Sequence, residues 1–289
     1  MAEPVISIRG LRKSYGEAEA EAVRGIDLEV HAGEVFAFLG PNGAGKTTTV
    51  EILEGYRKRS GGEVSVLGED PQRAGREWRE RIGIVLQGGR LDPYLTVSES
   101  LGLYAGYFRA PRPVEEVIAL VGLEGKAGER ASKLSGGQQR RLDVGMALIG
   151  DPELLFLDEP TTGFDPSARR QFWDVIAGLR DLGKTVFLTT HYMEEAQRLA
   201  DRVTIIAAGE IVARGTPEDL GDRENQPATI HYRAAGKEVK VETTTLVKTL
   251  HELTGEALAR GEDIEGLEVT RPSLEDVYLE LTADSEPAE

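Results

Sequence analysis

Residues Gly40–Thr48 read GPNGAGKTT, which fits the spacing G-x-x-x-x-G-K-[ST] between an apolar run and a helical pattern. That context suits a phosphate-binding loop, because glycines let backbone N–H groups close round an anion at a helix N-terminus. Gly40, Pro41, Asn42, Gly43, Ala44 and Gly45 would form the cradle, with Thr48 at its end. Lys46 would reach the β- and γ-phosphates, and the Thr47 hydroxyl would ligate Mg²⁺, a hard cation that prefers oxygen. Downstream, LLFLDEP ends an apolar strand in two carboxylates. Asp158 is placed to hold Mg²⁺ through its shell. Glu159 points elsewhere, so it is a candidate to polarise an attacking water. The stretch KLSGGQQRR, residues 133–141, opens a helix with paired glycines. It also suits an anion, yet no Lys-Ser/Thr pair follows it.

These residues need a framework. Val5–Arg9, Ala22–Val30, Glu34–Leu39 and Gly61–Leu67 read as strands, and a helix is expected from Lys46 to about Arg59. Trp78–Gln87 enters through a helical turn and leaves through a buried strand, IGIVLQ. From about Leu95 to Ile149 the spacing turns helical. Leu154–Leu157, Thr185–Thr189 and Arg202–Ile206 are β-rich runs separated by helical stretches at 167–181 and 192–200. That alternation predicts a parallel sheet with a helical insertion. Gly209–Thr216 reads as an edge hairpin and GDRENQP as a linker. Beyond it, strands near ATIHYRA, EVKVETT and GLEVT and helices near LVKTLHELTGEALA and SLEDVYLEL make a small α+β module.

Composition limits the partners. The 289 residues carry a formal net charge of −16, which argues against a general nucleic-acid binder. Residues 222–289 hold 7 Lys+Arg against 16 Asp+Glu, a more acidic stretch than the rest. There is no cysteine, so disulfides and thiolate metal sites are excluded, and a reducing compartment fits. The start, MAEPVISIRG, does not read as a signal peptide, and no apolar run approaches the roughly 18 residues of a membrane span. The chain is expected to be soluble, or held at a membrane by a partner.

Taken in order, GPNGAGKT, LSGGQ, LFLDEP and TTH resemble the nucleotide-binding subunit of an ATP-binding-cassette (ABC) transporter, from about Val5 to Thr216. The resemblance implies an α/β fold: a P-loop NTPase core with an antiparallel β edge and an inserted α-helical subdomain at about 88–150. Residues 1–221 would be the ATPase domain and 222–289 an accessory or regulatory module. It implies two copies sandwiching two ATP molecules head-to-tail. Lys46, Thr47, Asp158, Glu159, Gln87 and His191 of one copy would then face Ser135, Gly136, Gly137 and Gln138 of the other. Gln87 matches the glutamine that senses Mg²⁺ or water and couples to a membrane subunit; a polar residue at a strand end is the plain alternative. His191 matches a histidine contacting the γ-phosphate, where a lone histidine would otherwise read as structural. Tyr15, in KSYG, matches an aromatic that stacks on adenine, or it simply packs. Gly163-Phe164-Asp165 sits where a loop contacting the opposite copy belongs, with Phe164 where leucine is usual.

The ending RPSLEDVYLELT resembles that of the daunorubicin/doxorubicin-resistance type of exporter ATPase, with Ser273 as cap and Glu275 and Asp276 in the first turn. This implies a drug- or lipid-like cargo, a separate transmembrane permease, and a peripheral position on the cytoplasmic face of the membrane. Three other readings stay open: an importer subunit, a soluble ABC ATPase acting on ribosomes or DNA, and a protein that sequesters a drug without pumping it. One cassette, no sustained heptads and net acidity weigh against the second.

Overall fold

The computed structural model describes residues 3–16, 21–88, 91–220, 228–234, 237–261, 264–270 and Tyr278. The first strands are β1 (Ile6–Ser14), β2 (Glu21–Val30) and β3 (Val35–Leu39), followed by helix α1 (Lys46–Leu53), β4 (Gly61–Val66), α2 (Arg76–Glu80) and β5 (Ile82–Val85). The chain then leaves the sheets through α3 (Val97–Ala105), α4 (Val114–Leu120) and α5 (Gly136–Leu148). It returns through β6 (Leu154–Asp158), α6 (Pro166–Asp181), β7 (Thr185–Thr190), α7 (Met193–Leu199), β8 (Arg202–Ala207), β9 (Glu210–Gly215) and α8 (Pro217–Leu220). Strands β10 (Ala228–Ala234) and β11 (Lys237–Thr243), helix α9 (Leu246–Arg260) and β12 (Glu265–Thr270) complete the described elements.

Six strands form the central sheet in the order β5-β6-β7-β3-β8-β9. The first five run parallel, and β9 pairs antiparallel with β8 at the edge. Every residue of β3, β6 and β7 is buried, as expected for strands covered on both faces. Alternation sorts the side chains. Phe36, Phe38, Phe156 and Phe187 face a core shared with α1 and with an antiparallel sheet, β2-β1-β4. Their rings meet Phe187 at 5.3, 5.7 and 5.8 Å between centroids. Ala37, Leu39, Leu155, Leu157, Val186 and Leu188 point the other way, into the helices. The α/β class, the parallel sheet, its antiparallel edge and the helical excursion thus stand as the sequence predicts.

The tail forms an antiparallel sheet, β11-β10-β12, beside α9. Ala228 and Ile230 are buried in it. Tyr278 packs against the helix-side core. The linker GDRENQP lies outside the described residues, and so does the rest of RPSLEDVYLELT, including Ser273, Glu275 and Asp276.

The first helix is shorter than its sequence suggests. It stops at Leu53 instead of near Arg59, because Gly55 takes a left-handed φ of 76° and donates back to the Ile52 carbonyl at 3.1 Å. A Cβ there would come within 2.7 Å of the Pro71 carbonyl oxygen. Gly55→Ala therefore adds backbone strain to overpacking and should lower unfolding stability by about 2–4 kcal/mol. Urea unfolding followed by circular dichroism measures this; an unchanged midpoint would show that the approach of Pro71 does not constrain this turn.

Candidate functional site

Parallel strands end at one edge of a sheet, and ligands of open α/β sheets bind there. Register places the chemistry: Leu39 of β3 pairs with Thr190 of β7, Asp158 of β6 with Thr189, and Val85 of β5 with Leu157. The chain continuing from each strand therefore delivers the Gly40–Gly45 loop, Glu159, His191 and Gln87 to one place. They line a cavity of about 490 Å³ together with Asn42, Thr47 and Thr48.

The loop is built around its glycines. Gly45 caps α1 with φ 106°, and a Cβ on it would meet the Ala22 carbonyl at 2.5 Å. Gly40 has the same restriction, 2.3 Å from the Ile206 carbonyl. The free N–H groups of the first turn of α1 thus open on the cavity. Lys46 is 5% exposed, and its ammonium donates to the Gly40 and Pro41 carbonyl oxygens at 2.7 and 3.2 Å. Burial pushes its pKa down, while Glu159 pulls it back up from 3.5 Å. Ala44 is packed into the core beneath the loop.

Glu159 is the meeting point. Its backbone is left-handed, φ 43°, which turns the carboxylate into the cavity while Asp158 stays in the strand. Glu159 accepts from Gln87 Nε2 at 3.0 Å and Thr162 Oγ1 at 3.3 Å, and lies 3.5 Å from His191 Nδ1. Strain at such a residue concentrates at functional positions. Asp158 is buried, with Oδ1 accepting from Thr189 Oγ1 at 2.5 Å. Tyr15 sits at the rim; its hydroxyl shares a 3.1 Å hydrogen bond with Thr48, and its half-exposed ring has Lys13 and Arg57 about 5 Å away.

The cavity has vacant bonding capacity. His191 Nδ1 is buried without a hydrogen-bond partner, and the exposed Thr47 hydroxyl makes no hydrogen bond among the described residues. Among the described residues no group of three or more His, Asp or Glu side chains could hold a metal alone. Lys46, helix N–H donors and single oxygens fit a phosphate chain that would share its cation with the protein.

The KLSGGQQRR stretch is not part of this cavity. Ser135 caps α5: its hydroxyl accepts from the Gln138 N–H at 3.3 Å, and Gln138 Oε1 accepts from the Ser135 N–H at 3.0 Å. That leaves the first-turn N–H groups at Gly136 and Gly137 without side-chain partners. Gly136 borders a neighbouring hollow shared with Gln87 and Glu159. Asp165 likewise lies outside the cavity. Its carboxylate caps α6, accepting from the Ser167 and Ala168 N–H groups at 2.9 Å. Phe164 packs edge-on against Phe172, which is why an aromatic is tolerated there.

Sequence reasoning missed Arg140. It is 7% exposed and donates to the carbonyls of Asp158 at 2.9 Å, Pro160 at 3.1 Å, and Leu86. One guanidinium thus fastens α5 to the chain before Gln87 and to both sides of Glu159. Its partners are far away in sequence, so only its inward position on α5 could have signalled it. Arg140→Ala leaves these carbonyls unsatisfied and should cost about 3–5 kcal/mol. Arg140→Lys should recover only part, because one ammonium cannot span three carbonyls. Denaturant unfolding of both variants tests this; wild-type stability of Arg140→Ala would contradict the clamp.

Comparison with known proteins agrees with the geometry. The ABC transporter family pattern matches residues 23–162. The chain is 40% identical over 260 residues to the Nod factor export ATP-binding protein I of Cupriavidus metallidurans, covering 88% of this chain and 85% of that one. It is 43% identical over 226 residues to the protein of the same name from Cupriavidus pinatubonensis, covering 76% and 69%. A solved dimeric ATP-binding cassette in a post-hydrolysis state, bound to ADP and Pi, superposes with a TM-score of 0.65 at 26% identity, covering 73% of this chain and 98% of that one. A cassette of an ABC transporter in its ADP conformation shares the fold, with a TM-score of 0.66 at 23% identity over 75% and 93% of the two chains. The chain belongs to the ABC transporter family, as one of its ATP-binding, ATP-hydrolysing subunits.

Proposed function

We propose that this subunit powers export through a separate membrane permease, as a head-to-tail homodimer on the cytoplasmic face of the membrane. The observation that carries the reading is the separation of two complementary parts. Lys46, Gln87, Glu159 and His191 share one cavity, while the helix N-terminus at Ser135–Gly137 is not among its lining and Gly136 borders only the neighbouring hollow. A two-fold dimer joins such parts twice, once for each nucleotide. The dimeric ADP-bound relative supports this arrangement. Export is supported by the names of the similar proteins, each a Nod factor export ATP-binding protein I. Those names do not extend to the daunorubicin/doxorubicin type, and the cargo proposed here is drug-like or lipid-like. Residues 1–221 form the motor, with 88–150 as its helical subdomain, and 222–289 form the accessory module. Among the described residues no helix is long and apolar enough to cross a membrane, so the path for cargo falls to the partner.

The residues take these roles. Lys46 exchanges Glu159 for the β- and γ-phosphates, and Gly40–Thr48 wraps them. Tyr15 stacks on adenine. Thr47, Gln87 and Asp158 would hold Mg²⁺, which neutralises phosphate charge when bound. Glu159, held by Gln87 and Thr162, takes a proton from the attacking water. His191 directs its free Nδ1 to the γ-phosphate. The partner copy's Ser135–Gln138 stretch and its Asp165 loop close the site, adding preorganised N–H donors and excluding water.

Glu159→Gln removes the base while keeping shape. It should bind ATP with wild-type affinity, hydrolyse it about 10²–10⁴-fold more slowly, and accumulate as an ATP-bound dimer. Sedimentation and phosphate release measure both; wild-type turnover would refute the assignment of the base. Cargo movement into vesicles holding the permease, driven by ATP, separates a pump from a sequestering protein.

A further inference from the structure

The chain just past β7 carries His191 and is held by α6. Tyr192 follows His191 directly, and its backbone N–H donates to Thr190 Oγ1 at 3.0 Å, which tightens the turn round the histidine. The two rings lie against each other, with centroids 4.1 Å apart and planes inclined by 40°. Arg169, on α6, sets its guanidinium carbon 4.2 Å from the centre of the same Tyr192 ring. Its Nε is buried without a hydrogen-bond partner. The charge of Arg169 reaches Glu195, whose carboxylate accepts from Trp173 Nε1 at 3.1 Å, one turn further along α6. The π-face of Tyr192 is thus the surface against which this cation rests.

His191 needs such a support. Its Nδ1 is buried, makes no hydrogen bond and lies 3.5 Å from Glu159 Oε2. Rotation about the bond joining Cβ to an imidazole has broad minima, so packing must set the plane of the ring where no hydrogen bond does. Among the described residues, Tyr192 is the one aromatic ring in contact with it. Arg169 in turn sits on a fixed stretch of helix. Asp165 caps that turn, and a Cβ added to Gly137 would come within 3.0 Å of the Ala168 side chain, so α5 and α6 meet closely one residue before Arg169.

We infer that Arg169 and Tyr192 are positioning residues for hydrolysis: the guanidinium holds the Tyr192 ring, and the ring holds the His191 imidazole in the plane from which Nδ1 reaches the γ-phosphate. The inference rests on the proposed role of His191 and names the side chains that make it effective. Neither Arg169 nor Tyr192 lines the nucleotide cavity, so both act through the histidine. A displaced imidazole still leaves Lys46 and the Gly40–Gly45 loop free to bind phosphate. The loss therefore falls on turnover and not on ATP binding.

The test uses the purified full-length chain with Mg²⁺ and ATP. Tyr192→Leu and Arg169→Ala should each lower kcat about tenfold and leave KM for ATP within about twofold of wild type. Tyr192→Phe keeps the ring and should hold kcat within about twofold. The effect should vanish once the histidine is gone: Tyr192→Leu added to His191→Ala should slow turnover no further than His191→Ala alone. A contribution to packing alone would slow both backgrounds equally. NMR of the chain labelled at its four histidines gives a second readout, with His191→Ala identifying the signal. The ring current of Tyr192 should displace the His191 proton resonances in wild type and in Tyr192→Phe, and Tyr192→Leu should return them to the ordinary histidine range. Urea unfolding identifies a variant that does not fold, and Arg169→Ala and Tyr192→Leu alter different elements, so either one carries the test. Wild-type kcat in a folded Tyr192→Leu or Arg169→Ala variant, equal slowing in the two backgrounds, or an unmoved His191 signal in Tyr192→Leu would overturn the inference and leave the role of His191 standing. Wild-type kcat in His191→Ala would overturn both.

Discussion

The buried ammonium of Lys46 sets the terms for the rest of the molecule. A cation only 5% exposed is stable there because two loop carbonyls accept from it and Glu159 opposes it. Those carbonyls face inward because Gly40 and Gly45 allow backbone to pass where a Cβ would collide. Glu159 reaches Lys46 because β6 lies two strands from β3 in a parallel sheet and ends at the same edge. The aromatic cluster round Phe187 fixes the spacing of these three strands. Core packing on one face of the sheet thus determines charge geometry at its end.

Helix α5 connects that edge to the inserted helices. Its Arg140 binds backbone on both sides of Glu159 and before Gln87, so both residues are positioned by the same guanidinium. The opening turn of the same helix spends its side-chain caps on itself, through Ser135 and Gln138, and leaves backbone donors facing outward. One helix therefore braces the chain around Glu159 and, in the proposed dimer, would offer its opening N–H groups to the other copy.

Much of this was legible in sequence because the signals are local. The glycine spacing at 40–45, the apolar VFAFL and LLFL runs, and the paired glycines that open a helix at 136–137 each act within a few residues. What was hidden depends on contacts across the fold. The end of α1 turned on Pro71, seventeen residues past Leu53's neighbour Glu54, pressing against Gly55. Arg140 read as a residue inside a polar helix, since its acceptors lie 18, 20 and 54 positions away. Asp165 read as part of a loop that meets an opposite copy, and the sequence did not single out that its carboxylate also caps α6.

The central claim is that each catalytic centre is shared between two copies of the chain. Mixing two inactive variants tests it most directly: Lys46→Ala, which loses the phosphate-binding half, and Ser135→Glu, which blocks the opposing half with a like charge. In an equal mixture, half of the dimers combine the variants, and each of these contains one intact centre. The account predicts recovery of about a quarter of the wild-type ATPase rate. A mixture no more active than its two components would contradict it.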